Sequence, residues 1–308
     1  MKKILKWGCG CLIGFVVLAV VAVIVFHFVM KPKWDDSYGI RYENLTYGSG
    51  EQNTYDLYLP HSGTNQKHSG LLLYVHGGSW TGGDKSHHHR ECYKWVQQGY
   101  VTATMNYTLL SDKDNAGSVP LMLDEIEKCV ESIVVKAGKE GYHIDQMAIA
   151  GTSAGGHLAM MYAYSHSHPL PVRFEAIKVG PADFDILFPY DENADKKDAE
   201  RFIKVCTGKN FNLEGKGKAY IDSLKNVASP VTYINDSTAL PAIFAYGEKD
   251  KLIVPGHYHR LTHIYDSIGA PYSLIVYPNS GHFLHADSDC TERYEQTLAD
   301  YLRKYFGY

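Results

Sequence analysis

The chain lacks three things: internal repeats, low-complexity tracts beyond His87-His88-His89, and any surplus of positive charge. Without a repeat period, solenoid and propeller architectures are excluded. Thirty Lys and Arg stand against 34 Asp and Glu. Lys2, Lys3 and Lys6 precede all the acids, so the remaining chain carries 27 basic residues against 34 acidic ones. That balance argues against nucleic acid as a partner. Cysteine is sparse after residue 30, at Cys92, Cys129, Cys206 and Cys290. An even number permits disulfides outside the cytoplasm, and buried free thiols fit a large domain equally well.

Charge is missing altogether from Gly8 to Met30, a run of 23 residues in which His27 is the only strongly polar member. At 1.5 Å per residue such a helix crosses a hydrocarbon core about 30 Å thick. The lysines before it favour a cytoplasmic N-terminus, and Trp7 and Trp34 stand where interfacial aromatics belong. Its end, Val25 to Pro32, carries no small-x-small cleavage site. The expectation is an uncleaved transmembrane anchor (residues 1–30), a linker (31–40) and an extracytoplasmic domain (41–308). The alternative is secretion after signal-peptide cleavage.

A domain of this length can bury a large core. Tyr42 to Tyr47 and Tyr55 to Pro60 alternate as an antiparallel pair with one wet face, whereas Gly70 to Val75 is continuously apolar, as in a strand covered on both sides. Helix and strand then alternate. Helices are expected over Ser86 to Gln98, Pro120 to Lys139, Pro255 to Ile268 and Thr291 to Phe306. Strands are expected over Tyr100 to Tyr107, Gln146 to Gly151, Phe174 to Val179, Pro241 to Tyr246 and Tyr272 to Tyr277. This alternation implies a mostly parallel, doubly wound α/β sheet with its sites at the carboxyl ends of the strands. Only 181–239 breaks the pattern, being polar and helical in parts; it reads as a cap insertion contributing to a substrate pocket.

The centre of the pattern is Gly151-Thr152-Ser153-Ala154-Gly155-Gly156, between a strand and an apolar helix. A strand, a sharp turn and a helix hold the serine clear of the sheet beside the positive helix end, and glycines two residues either side make room for the bend. Alone the pattern is a weak signal, so its weight rests on partners elsewhere. A serine nucleophile needs a base, an acid to orient that base, and donors for an oxyanion. His282 follows the last strand in Pro278-Asn279-Ser280-Gly281-His282 and is the expected base. Asp250 follows the penultimate strand and is preferred as the acid over Glu248, because Leu252 to Pro255 return the chain to the core. Oxyanion donors are expected from Gly77, Gly78 and Ala154. His76 reads as a brace for the oxyanion loop, Asp84 and Lys85 as a cap or brace, and Asp124 and His157 as structural. His87-His88-His89 reads as a solvated helix start, since neighbours about 100° apart on a helix cannot converge on one ion.

The run His76-Gly77-Gly78-Ser79-Trp80-Thr81-Gly82-Gly83-Asp84-Lys85, the pair Asn106-Tyr107, the elbow 151–157 and Gly281-His282 together resemble the α/β-hydrolase superfamily. Most similar are carboxylesterases of the hormone-sensitive-lipase-like and acetyl or feruloyl esterase type. The resemblance runs from about residue 45 to the C-terminus. It departs at Ser79, where many members carry a third glycine, and at Thr108, where an arginine is common. It implies a cofactor-independent, metal-independent serine hydrolase acting through an acyl-enzyme on a small-molecule or glycan-linked ester; the small glycine-lined entrance and the modest insertion suggest short acyl groups, acetyl especially. An amidase or peptidase of the same fold is an alternative, lowered by the lack of a large gating domain. A non-catalytic adhesion or scaffold protein on this fold is the rival from another class.

Overall fold

Segments of aliphatic, β-branched and aromatic residues pair into a single sheet that carries the rest of the domain. The structure is a computed structural model describing residues 33–61, 70–110, 117–166, 168–189 and 196–307. The apolar run Gly8–Met30 and its flanking lysines lie outside the described residues. Among the described residues no helix is long and apolar enough to cross a membrane. Residues Asp36–Tyr308 form a compact unit of their own.

The strands are β1 (Gly39–Thr46), β2 (Thr54–Pro60), β3 (Gly70–Val75), β4 (Val101–Met105), β5 (Gln146–Thr152), β6 (Val172–Lys178), β7 (Ala242–Gly247) and β8 (Tyr272–Tyr277). Their spatial order is β1-β2-β4-β3-β5-β6-β7-β8. β1 and β2 form an antiparallel pair, β2 meets β4 antiparallel, and every later pairing is parallel. Right-handed crossovers require helices between parallel strands. These are α1 (His89–Val96), α2 (Val119–Lys139), α3 (Ala154–Ser165) and α7 (Gly256–Ile268); α8 (Ser288–Phe306) follows the last strand and packs back on the sheet. In place of a strand, the insertion holds α4 (Phe184–Leu187), α5 (Lys196–Thr207) and α6 (Lys218–Lys225). The sheet starts at Gly39, two residues before the boundary read from the sequence.

One expectation about β2 fails. Its alternation suggested a wet face, yet six of its seven residues are buried. Tyr55 hydrogen-bonds Ser132 of α2 (3.1 Å) while Tyr58, on the opposite face, packs edge-on against Tyr93 of α1 (5.3 Å between centroids). Helices therefore cover both sides, tyrosine supplies the buried contacts despite its polar tip, and the wet strand is the edge strand β1. The histidine run is corrected in the same way. His87 is exposed, but His88 is buried and stacks on Tyr74 (5.1 Å), and His89 bonds the buried Asp56 (2.8 Å). Successive residues of a helical turn diverge, so a turn lying on the sheet must send some of three histidines inward. All four described cysteines are buried free thiols.

The core also holds a carboxyl. Glu175 of β6 is fully buried and bonded to the Tyr164 hydroxyl, which is 2.5 Å from the Tyr265 hydroxyl; Tyr265 in turn donates to Leu240 O (2.9 Å). Three hydrogen bonds in a row need three protons, and the two tyrosines supply two. The third belongs to Glu175, in agreement with burial raising its pKa from 4.5 to about 8. Between these values the unfolded carboxyl is ionised and the folded one is not, so folding takes up a proton and stability falls as pH rises. The slope is about 1.4 kcal/mol per pH unit at most. Glu175→Gln keeps the shape and removes the ionisation, so denaturant titrations from pH 5 to pH 8 should show wild type losing stability relative to this variant. A parallel pH dependence of the two would contradict the protonated Glu175.

Candidate active site

The sheet places its functional loops at the carboxyl ends of β3, β5, β7 and β8. After β5 the chain turns within one residue. Ser153 has φ 55° and ψ −123°, a left-handed backbone costing about 1–3 kcal/mol in a residue with a Cβ. The surroundings hold it there. Ser153 N donates to Lys178 O of β6 (2.8 Å), and its carbonyl accepts from His157 N (3.0 Å) to begin α3. A Cβ on Gly151 would lie 2.3 Å from Gly155 O, and one on Gly155 would lie 2.1 Å from Val75 O, so strand, helix and β3 meet backbone to backbone. The serine side chain caps nothing in α3. Instead, its Oγ is 2.9 Å from His282 Nε2, and His282 Nδ1 is 2.8 Å from Asp250 Oδ2.

Asp250 is anchored at both oxygens. Oδ1 accepts from Leu252 N (2.8 Å) and Ile253 N (2.9 Å), leaving Oδ2 for the imidazole. A carboxylate only accepts, so Nδ1 carries the imidazole proton and Nε2 presents its lone pair to the serine hydroxyl. Asp250 is 3 % exposed. Glu248, the rival acid, is exposed and accepts instead from the Tyr258 hydroxyl (2.7 Å).

The loop after β3 closes over the elbow. A Cβ on Gly77 would lie 2.6 Å from Thr152 O and 3.1 Å from Ser153 Cβ, so only glycine lets this backbone reach the serine. Gly78 folds into the adjoining turn, its carbonyl accepting from Thr81 N and Gly82 N (both 3.0 Å). Ala154 opens α3, where backbone N–H groups lack intrahelical acceptors and the helix dipole favours negative charge. The structure thus brings Ser153, His282 and Asp250 into one hydrogen-bonded line, with Gly77 and Ala154 against the serine and Gly78 one residue further along the loop.

His76, Asp84, Lys85 and His157 have the bracing and structural roles expected of them, through partners that escaped the sequence. Tyr107 stacks on His76 (4.4 Å) and donates to His76 O (2.9 Å), while Asn106 donates to Asp84 Oδ2 (3.0 Å) and accepts from Lys85 N (2.6 Å). The strand end after β4 is therefore the clamp of the oxyanion loop. His76 Nδ1 faces Gly77 O (2.8 Å), and burial depresses the His76 pKa to about 4, keeping it a neutral brace. His157 is likewise held neutral, its pKa lowered to about 4 by burial, and its Nε2–H donates to Ala228 O (2.8 Å). It stacks on Phe184 (4.8 Å) beside Trp80 (5.2 Å), so α3, the oxyanion loop and the insertion share one aromatic cluster. Inside the insertion, Lys225 is buried and bonded to Asp185, Asp222 and Phe188 O. Among the described residues, Glu43, Asp56 and His89 form one metal-ligand-like group, but Lys85 Nζ stands 3.2 Å from Asp56 and supplies the positive charge there.

The loop that carries His282 has its own clamp. Asp287, at the start of α8, accepts from the Ser280 hydroxyl (2.6 Å), Asn279 N (3.1 Å) and Asn279 Nδ2 (2.9 Å); Ser280 Oγ accepts from Ala286 N (3.0 Å). The loop that presents His282 is closed at its neck. The helix expected from Thr291 starts earlier, at Ser288, so Asp287 stands at its N-terminus, but nothing in the sequence said what it would reach back to.

A nucleophile elbow at the centre of a parallel sheet, an acid after the penultimate strand and a histidine after the last define an α/β-hydrolase. The chain belongs to the BD-FAE family, whose profile matches residues 55–264. That match contains every site residue above except His282 and its clamp. Esterase LipQ of Mycobacterium tuberculosis (strain ATCC 25618 / H37Rv) is 23% identical over 279 residues, covering 88% of this chain and 64% of the relative. Kynurenine formamidase of Salmo salar is 29% identical over 118 residues, covering 38% of this chain and 37% of that protein. The chain thus spans less than two thirds of either relative. Among solved structures, a truncated carbohydrate esterase from gut microbiota superposes with a TM-score of 0.70 at 17% identity, over 91% of this chain and 100% of that one.

If the Asp287 clamp fixes the base, Asp287→Ala lowers kcat on p-nitrophenyl acetate roughly 10–100-fold with little change in KM, and Asp287→Asn retains most of the activity. Equal kcat in wild type and the alanine variant would show that His282 is held without it.

Proposed function

We propose that this protein is a serine hydrolase of carboxylic esters working through an acyl-enzyme. The observation that carries the reading is the line from Asp250 through His282 to Ser153 Oγ, with the Gly77 backbone pressed against the serine. His282 Nε2 takes the hydroxyl proton as Ser153 Oγ bonds to the acyl carbon. The developing oxyanion is held by the N–H groups of Gly77, Gly78 and Ala154. His282 returns the proton to the alcohol oxygen as the carbon–oxygen bond breaks, and Asp250 stabilises the imidazolium without taking its proton. Water repeats the sequence on the acyl-enzyme, releasing the acid and free Ser153. The printed names of LipQ and the gut carbohydrate esterase support ester substrates.

The acyl group is short, acetyl above all. Support comes from the tight glycine approach at the oxyanion loop and the modest insertion. The likeness to a formamidase over 118 residues favours a second reading, amide hydrolysis by the same residues. The domain is held at a membrane by the run Gly8–Met30, with the lysines before it cytoplasmic and residues 41–308 on the opposite side.

Ser153→Ala should fold normally by circular dichroism and lose about 10⁴-fold or more in kcat/KM on p-nitrophenyl acetate. Wild type should prefer acetate to octanoate and should cleave 4-nitrophenyl acetate far faster than 4-nitroacetanilide. Activity surviving in Ser153→Ala refutes the nucleophile. Faster anilide cleavage favours the amidase, and faster octanoate turnover refutes the short acyl site.

A further inference from the structure

In the proposed reaction His282 Nε2 hands its proton to the alcohol oxygen, which must come within about 3 Å of that atom. The rest of the alcohol then leaves past the imidazole on its open side. Asp250 closes the back of the ring and Ser153 its Nε2 edge. The next residue, Phe283, has its ring 5.8 Å from the imidazole, edge to face, and is 62 % exposed. Its outward position is built in. Leu284 adopts φ 53° and packs against the core, which leaves Phe283 in solvent at the crest of the loop.

The acid's loop presents the same chemistry. Leu252 and Val254 are 56 % and 37 % exposed, although Leu252 N and Ile253 N are tied to Asp250 itself. Ile186 of α4 lies beside Val254, since a Cβ on Gly256 would touch Ile186 Cγ2 at 3.5 Å and Val254 Cγ2 at 4.0 Å. Eight large apolar side chains are exposed among the described residues. Three of the eight sit within four residues of Asp250 or next to His282, on loops locked in place by the acid and the base. Exposed apolar side chains held at fixed positions on the loops that carry the acid and the base are suited to a contact made by the substrate.

We propose that Phe283, Leu252, Val254 and Ile186 form an apolar subsite for the alcohol half of the ester, selecting alkyl or aryl alcohols over hydroxyl-rich ones. The inference rests on the ester hydrolase reading and adds the leaving-group class. The acyl side is set separately, at the oxyanion loop.

The test holds the acyl group constant. Hydrolysis of methyl, propyl, butyl and hexyl acetate and of ethylene glycol monoacetate is followed by pH-stat with the full-length protein. The expected result is a rise in kcat/KM of about twofold per added methylene, as for a partly buried chain, with the glycol ester below propyl acetate. Phe283→Ser with Leu252→Ser should flatten that slope, and Val135→Ser, an exposed apolar residue on α2, should leave it unchanged. The slope, not the absolute rate, is the readout. A flat series, or preference for the glycol ester, with turnover intact overturns the subsite alone. A flat series with self-association that the double variant abolishes assigns the lip to a second copy and also overturns it. No turnover of any acetate by a folded protein overturns the hydrolase reading and this inference together.

Discussion

The arrangement depends on one constraint: a serine held in a left-handed backbone conformation where three peptide backbones meet without room for side chains. Ser153 cannot relax, because β5, α3 and the end of β3 approach one another through Gly151, Gly155 and Gly77 at distances no Cβ could share. The strain of about 1–3 kcal/mol is offset by the sheet that surrounds it. In exchange the hydroxyl stands clear of its own helix, facing an imidazole on one side and glycine backbone on the other. Adding a single methyl at Gly77 or Gly155 would force apart elements fixed by the sheet's hydrogen bonds.

Around that point the supporting loops are tied to each other more than to the elements they leave. Lys249 N donates to Ser280 O (3.0 Å), Lys249 Nζ to Asn279 Oδ1 (3.2 Å), and Glu248 N to Tyr277 O (3.0 Å), so the acid's loop and the base's loop are laced along their length. Asp287 then closes the neck of the base's loop, and Tyr107 with Asn106 does the same for the oxyanion loop. Neutral His76 and His157 complete the bracing, since burial keeps both uncharged and able to serve as fixed polar contacts. On the proposed reading such a site is organised before substrate arrives, which is where most electrostatic stabilisation of an oxyanion originates.

Much of this was legible in the chain because it follows from local rules. Continuous apolar runs marked the covered strands, glycine spacing marked the elbow, and strand ends located Ser153, Asp250 and His282, which the fold joins by hydrogen bonds of 2.8 and 2.9 Å. Asp250 was separable from Glu248 because a chain returning to the core must anchor its turn. What could not be read were partners set by tertiary packing. Tyr58 and Tyr55 carry polar tips, so the pattern of β2 looked half wet, and only the helices on both sides make it a covered strand. His88 and His89 looked solvated because sequence gives helical periodicity without saying which side meets the sheet. Asp287 and Tyr107 each act across a loop whose closure the sequence does not encode locally.

The central claim is that Ser153 is a nucleophile activated by His282. The most direct measurement is covalent labelling of the folded protein with a fluorophosphonate probe, read by peptide mass spectrometry. The account predicts one adduct, on Ser153, formed by wild type and lost in His282→Ala. No adduct on Ser153, or equal labelling with and without the His282 imidazole, would contradict it.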